Sequence, residues 1–247
     1  MFVSPLIFLT TLVLAPAPTR ADDLALIYNS YKSMVHILAE AGEVFNAGQQ
    51  TVQDPQTGKV YILTDLVTAK QEKRGIGIVV SPAGLIVTNL HIINEASRIT
   101  VTIHDGKQYD AVVVYKNSMK DLAILYIKPE EKLTMIQLAN SNMVKAGNKV
   151  FTLGSAARTD NSLSTGTIDH VELKEDASDG KVNSIQVLFD FEMTEGDSGR
   201  PIFDEFGNCI GIIAAGAEIT KNFIYAIPSN MIRDEFWKFL NNTKDQD

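Results

Sequence analysis

The chain has 247 residues, of which 45% are hydrophobic and 21% charged, with a formal net charge of −8. This is globular composition. It excludes a disordered polar chain, a collagen-like repeat and a multi-span membrane protein, and the length suffices for one or two domains with cores of their own. The acidic balance argues against a nucleic-acid partner, which needs a basic face to follow phosphates, and the single cysteine, Cys209, excludes an internal disulfide.

At the start of the chain, the apolar run from Leu6 to Leu14 is roughly half the ~20 residues of a membrane-spanning helix. Thr19 and Ala21 place small residues at the −3 and −1 positions of a cleavage site, ahead of the acidic Asp22-Asp23. Residues 1–21 therefore read as a secretory signal peptide. The mature chain, 22–247, is expected in the periplasm or secreted, with no integral span after cleavage. No Lys or Arg precedes the apolar run, so only the terminal amine charges its upstream end. An uncleaved anchor or a buried first helix is the competing reading.

Beyond this segment, Leu24, Ile27 and Tyr31 share one helical face and predict a helix over 22–33. Short β-rich runs then recur: Met34–Leu38, Gly77–Val80, Gly84–Thr88, Ile99–Ile103, Ala111–Tyr115, Ala123–Ile127, Lys149–Leu153, Ser164–Val171, Ile185–Leu188, Cys209–Ala214 and Phe223–Ala226. This spacing predicts barrels or a sandwich and not a doubly wound α/β sheet. Asp105-Gly106 is a hairpin-turn signal. Residues 42–74 read as polar and irregular, and 172–184 as a second exposed loop. Ser229–Leu240 predicts a closing helix, with Pro228 ending the strand before it, Ser229 as N-cap, and Ile232, Phe236 and Leu240 as its apolar stripe.

The strongest local signal is EGDSGRP, Glu195 to Pro201. A serine hydroxyl needs an adjacent base and an oxyanion site to act as a nucleophile, and glycines on both sides let amide N–H groups converge on one point. Alone, the string reads equally well as a β-turn. Two further segments add to it: IVTNLHII, Ile86 to Ile93, which ends a strand at His91, and KDLAILYI, Lys120 to Ile127, with Asp121 just before a strand.

With these segments the chain resembles the trypsin-like serine proteases, and most closely the HtrA/Deg branch. The matching stretches are Gly75-Ile76-Gly77, GLIVTNLHII from Gly84, DLAILYI from Asp121, Asp190 followed by GDSGRP, CIGIIAAG from Cys209, and IYAIPSN from Ile224. The resemblance runs from about Tyr28 to Leu240. It implies an all-β fold of two six-stranded β-barrels with an N-terminal and a C-terminal helix. The first barrel is expected at about 34–130, the second at about 135–227 and the last helix at about 229–240. It also implies a serine endopeptidase acting on polypeptide substrates, with a role in envelope protein quality control or processing. His91 is expected as general base, Asp121 as its orienting carboxylate and Ser198 as nucleophile. The N–H groups of Gly196 and Ser198 are the expected oxyanion hole. Family members commonly form homo-oligomers, trimers above all, and the 22–33 helix could serve that end. A latent or inactive module that binds peptides or partners is the competing function.

Arg200 stands where the family usually has Gly, and Pro201 restricts it toward extended geometry. Either it crowds the oxyanion loop or it points outward and pairs with Asp197 or Glu195; the outward reading is preferred. Asp197 replaces the Asn usual in the HtrA branch, Ile76 replaces a small polar residue, and no PDZ domain is expected after the protease domain. For substrate binding, Glu192 marks the base of the first specificity pocket or else turns to solvent. Ala214, Ala215 and Gly216 are expected to line the cleft and pair with substrate backbone as an added strand. His36, His104 and His170 lack metal-ligand spacing, so no metal or organic cofactor is expected. Cys209 reads as a buried small hydrophobe and Trp237 as a packing anchor. A neutral imidazole base implies activity rising from pH ~6 to ~8.

Overall fold

The structure, a computed structural model, describes residues 28–53, 55–57, 59–155, 158–173, 181–191, 194–214 and 223–244. The signal-peptide segment, the start of the predicted first helix, Glu192, Ala215, Gly216 and most of the 172–184 loop lie outside the described residues. Residues 28–32 are helical, and Tyr31 packs against the core. Among the described residues, no helix is long and apolar enough to cross a membrane.

Thirteen strands follow among the described residues: β1 (Met34–Gln53), β2 (Val60–Ser81), β3 (Leu85–Asn89), β4 (Arg98–Thr102), β5 (Gln108–Asp110), β6 (Val112–Asn117), β7 (Leu122–Tyr126), β8 (Lys149–Ser155), β9 (Arg158–Leu173), β10 (Val182–Phe189), β11 (Pro201–Asp204), β12 (Cys209–Ile213) and β13 (Phe223–Pro228). The first seven form one antiparallel sheet in the order β5-β4-β1-β2-β3-β7-β6. Its two edge strands are separated in the chain by Ala111 alone, so the sheet curls round on itself. The second set closes into a six-stranded barrel, β10-β13-β12-β11-β8-β9. The fold is the two-barrel arrangement expected, except that the first unit has seven strands where six were expected. The extra strand is β5, reached through the Asp105-Gly106 turn, where the Gly106 N–H donates to Ile103 O at 2.9 Å. It has three residues and no buried side chain, so periodicity cannot show it.

Residues 42–74 are a larger departure. They continue β1 and β2 outward as a two-stranded ribbon, paired from Met34↔Ile78 to Gln53↔Val60 with a bulge at Asn46/Gly48. Only His36–Glu40 of β1 also pair with β4, so the outer ribbon is held by its own ladder. Near its tip, Val60, Tyr61 and Ile62 are exposed. Residues 42–74 carry no sustained alternation of apolar and polar positions, which is why the segment reads as irregular.

Alternation is clear where one face is covered. Ile99 and Val101 of β4 are buried between exposed or half-buried neighbours. Strands β7 and β12 are buried almost throughout, because material packs on both sides of them. Each barrel has its own core, around Ile37, Ile86 and Leu125 in the first and Ile185, Ile202 and Ile213 in the second. A third cluster spans both: Ile76, Ile78 and Leu122 pack with Phe203, Cys209, Ile212 and Ile232. Each fully buried Ile or Phe contributes about 1.5–3 kcal/mol. This shared core fixes the barrels against each other and so fixes the cleft between them.

The C-terminal helix, Ser229–Lys244, packs on that junction through Ile232, Met231, Phe236 and Phe239. Ser229 is its first residue and not its N-cap: the hydroxyl donates to Ala139 O at 2.9 Å, and Ser141 Oγ accepts from the Asn230 N–H at 3.1 Å. The capping oxygen comes from a segment some ninety residues away, out of reach of local pattern reading. Trp237 is 54% exposed and packs in no core, contrary to its expected role as an anchor.

One carboxylate of this helix reaches the first barrel. Glu235, whose side chain is 3% exposed, accepts from Tyr115 OH at 2.5 Å, Asn117 Nδ2 at 2.8 Å, Lys120 Nζ at 2.7 Å and Lys238 Nζ at 2.8 Å. Burial pushes its pKa up, but these four donors outweigh it and hold the carboxyl well below the usual carboxylate range. A depressed folded-state pKa means stability that is fully present above the unfolded value of about 4.5 and is lost as pH falls below it. In acid titrations of unfolding free energy, Glu235→Gln is therefore expected to be less stable than wild type at neutral pH, with the gap narrowing as pH falls below that value.

Candidate active site

His91 sits on the one-turn helix Leu90–Ile93, directly after β3. Ile92 and Ile93 are buried in the first core and pin this turn. Asp121 follows the 3-10 turn Ser118–Lys120 and precedes β7, whose first residue Leu122 pairs with Asn89. The β3–β7 pairing thus brings residues 91 and 121 together from thirty positions apart.

Asp121 Oδ2 lies 2.7 Å from His91 Nδ1, and Asp121 Oδ1 accepts from the His91 backbone N–H at 2.9 Å. Asn89 Nδ2 donates to Oδ2 at 3.2 Å, while the Asp121 carbonyl accepts from the Leu90 N–H at 3.1 Å. One carboxylate thereby orients the ring and anchors the backbone that carries it. With Nδ1 directed at Asp121, the proton on that nitrogen leaves Nε2 as the basic one. The His91 and Asp121 side chains are 37% and 33% exposed, so the pair lies open to a cleft. Asp121 adopts a left-handed backbone, φ 49° and ψ 42°, uncommon for a non-glycine residue and costing about 1–3 kcal/mol unless its surroundings hold it.

Ser198 comes from the second barrel. It follows the 3-10 turn Glu195–Asp197 and precedes β11. The Ile76 N–H donates to Ser198 O at 2.8 Å, and Gly199 N–H donates to Ile213 O at 2.9 Å. The serine backbone is therefore tied to β2 on one side and β12 on the other. Gly199, at φ 80°, packs so closely that a Cβ there would lie 1.9 Å from Ile76 O; only glycine fits. A Cβ on Gly75 would lie 3.1 Å from Ser198 O and 2.4 Å from Ile92 Cδ1, which places the serine segment beside the His91 turn. The Ser198 hydroxyl is buried and has no hydrogen-bond partner among the described residues, so its link to His91 is unmade in this structure.

The loop before Ser198 is organised around Asp197. Its Oδ2 accepts from the Thr194 N–H at 2.7 Å and from Thr194 Oγ1 at 2.9 Å, and the Asp197 N–H donates back to Thr194 O at 3.0 Å. Arg200 does not point outward. It is 2% exposed, its Nη2 lies 3.3 Å from Asp197 Oδ1, and its guanidinium sits 5.1 Å from the Phe191 ring centroid. The pairing with Asp197 is the one expected, but it is made inside the protein: Arg200 lies under the loop as an internal counter-ion for Asp197. Sequence reading placed a long cation at the surface by default.

A cleft of about 840 Å³ opens beside Asp121, lined also by Met119, Ala214, Tyr225, Asn230 and Arg233. Ala214 also borders it, and its N–H donates to Tyr225 O at 2.9 Å. Cys209 is buried, donates its S–H to Gly211 O, and has its thiol pushed up to about 12 by burial, so it is inert as a nucleophile. Asn89 and Thr194 were missed as site residues; a strand-end amide and a loop hydroxyl carry no pattern of their own.

Two β-barrels sharing one core, with a His–Asp pair on the first and a glycine-flanked serine on the second, define a chymotrypsin-type peptidase fold. Residues 75–212 match the family model of the trypsin-like peptidase domain, and the chain belongs to that family. It is 34% identical over 162 residues to a rat protein named Serine protease HTR4, covering 64% of this chain and 32% of that one. It is 30% identical over 166 residues to the Escherichia coli periplasmic pH-dependent serine endoprotease DegQ, covering 66% of this chain and 36% of that protein. The chain thus spans about a third of the length of these curated relatives. Among solved structures, the HtrA-type protease AlgWS227A with decapeptide aligns with a TM-score of 0.70 over 88% of this chain and 66% of that one, at 18% identity.

Removing the buried cation leaves Asp197 as an uncompensated charge in the interior. Arg200→Ala is expected to lower the unfolding free energy by about 3–5 kcal/mol. Urea denaturation checks this; a loss below about 1 kcal/mol would place Arg200 among solvated surface pairs.

Proposed function

We propose that the protein is a serine endopeptidase that hydrolyses peptide bonds through His91, Asp121 and Ser198. The 2.7 Å His91 Nδ1–Asp121 Oδ2 contact beside the Ser198 loop carries the reading. As Ser198 Oγ attacks the scissile carbonyl carbon, His91 Nε2 takes its proton, and Asp121 stabilises the imidazolium that forms. The tetrahedral oxyanion is held by the Gly196 and Ser198 N–H groups. The imidazolium then protonates the leaving amine, the C–N bond breaks, and an acyl-enzyme remains. Water hydrolyses the acyl-enzyme with His91 acting again as base. Ala214, Ala215 and Gly216 carry the substrate backbone, with Glu192 at the first side-chain pocket. Substrates are exposed segments of unfolded or damaged polypeptides. The signal-peptide reading of residues 1–21 and the periplasmic relative support export and a role in envelope quality control. Assembly as a homo-oligomer belongs to the same proposal.

A second reading concerns the resting state. The 3-10 turn Glu195–Asp197 is closed on itself, the Asp197 N–H donating to Thr194 O at 3.0 Å and the Arg200 N–H to Asp197 O at 3.1 Å. Together with the unbonded Ser198 hydroxyl, this favours a latent enzyme that becomes competent when the 194–197 segment reorganises around bound polypeptide.

A fluorophosphonate probe tests the chemistry. Wild type is expected to label on one serine and Ser198→Ala not at all; labelling that persists in the variant, or is absent from wild type with and without an unfolded polypeptide, counts against the assignment.

A further inference from the structure

We propose that Glu235, on the C-terminal helix, is a positioning residue for the Asp121 carboxylate, acting through the turn that precedes it. The inference rests on the reading of His91, Asp121 and Ser198 as a triad.

Three of the six residues before Asp121 converge on this one side chain. Tyr115 OH and Asn117 Nδ2 donate to Glu235 Oε2 at 2.5 and 2.8 Å, and Lys120 Nζ donates to Oε1 at 2.7 Å. The same Asn117 caps the 3-10 turn, its Oδ1 accepting from the Lys120 N–H at 3.2 Å. Asn117 and Lys120 thus bracket the turn, and both ends are held by a carboxylate belonging to the other half of the molecule. The next residue is Asp121, in its left-handed conformation.

A turn of three residues whose exit sits at φ 49° has little to hold it locally. Its members Met119 and Lys120 are 93% exposed and half-buried, and no buried apolar side chain anchors it. The ionic and hydrogen-bonded cluster on Glu235 replaces that missing packing. The cost of the Asp121 backbone is met by fixed neighbours, so the carboxylate is presented to His91 without having to be ordered at the moment of reaction. The cluster also ties the first barrel's carboxylate to the helix that packs across the junction, which makes the position of Asp121 depend on how the two barrels dock. Lys238, on the helix itself, donates to Glu235 Oε1 at 2.8 Å and completes the shell.

The test compares Glu235→Gln, Lys120→Met and Lys120→Arg with wild type and with Asp121→Asn. Two quantities are read on the full chain: the pH profile of Ser198 labelling by a fluorophosphonate, and the low-field Nδ1–H proton resonance of His91. Positioning predicts that Glu235→Gln labels about tenfold or more slowly on the alkaline plateau, and that its acid limb moves to lower pH because the imidazolium is less stabilised. The His91 resonance is expected to move upfield or broaden. Lys120→Met should show the same plateau loss and resonance change to a smaller degree, and Lys120→Arg should restore both.

Wild-type plateau rates and an unmoved resonance in folded Glu235→Gln, with Asp121→Asn slowed, overturn the inference and leave the triad standing. A normal labelling rate in Asp121→Asn overturns the triad and the inference with it. If Glu235→Gln does not fold, the lysine pair decides, since Lys120 is partly exposed and its removal leaves the carboxylate in place. In that case an unchanged rate and resonance in Lys120→Met overturn the proposal. Should the wild-type serine label too slowly to compare, the imidazole resonance decides alone, because it needs no turnover.

Discussion

The carboxylate of Asp121 is the point on which the site turns. It accepts from the ring of His91, from the backbone of His91 and from the side chain of Asn89, so ring, helix turn and strand end are all referred to one group. A histidine on a four-residue helix would otherwise rotate freely about its side-chain torsions, with either nitrogen protonated. Fixing Nδ1 leaves Nε2 as the basic nitrogen. The β3–β7 pairing, the β2 contact to Ser198 O and the shared core between the barrels set the serine segment beside the His91 turn.

The two halves of the site are stabilised in different ways. The His–Asp half is held by direct hydrogen bonds near solvent. The serine half rests on buried ionic chemistry, with Arg200 beneath the loop opposing Asp197, and Asp197 in turn gripping Thr194. A buried pair of this kind is costly to break, so the loop before Ser198 rests on a few strong interactions.

Glu235 and Arg200 are both buried charges that the helix and strand patterns do not announce. In an amphipathic helix one glutamate among polar residues looks like any other, and its four donors are scattered from position 115 to 238. In EGDSGRP the arginine has the form of a surface residue. Both were invisible because burial of a polar group is decided by what it meets in three dimensions, and those partners are distant in sequence or come from another element.

The sequence by itself indicated eleven of the thirteen strands among the described residues and the closing helix, and it singled out His91, Asp121 and Ser198 as the candidate triad. Alternating apolar positions and short motifs are local, and the physics that reads them is local too. It did not determine the outward pairing of β1 and β2, the short strand β11, or the three-residue β5, which has no buried side chain. Nor did it determine the place of Arg200, the capping of the last helix by Ser141, or the tie from Glu235 to the turn before Asp121. Those depend on hydrogen bonds and ion pairs between parts of the chain up to 120 residues apart, which exist only once the two barrels have docked.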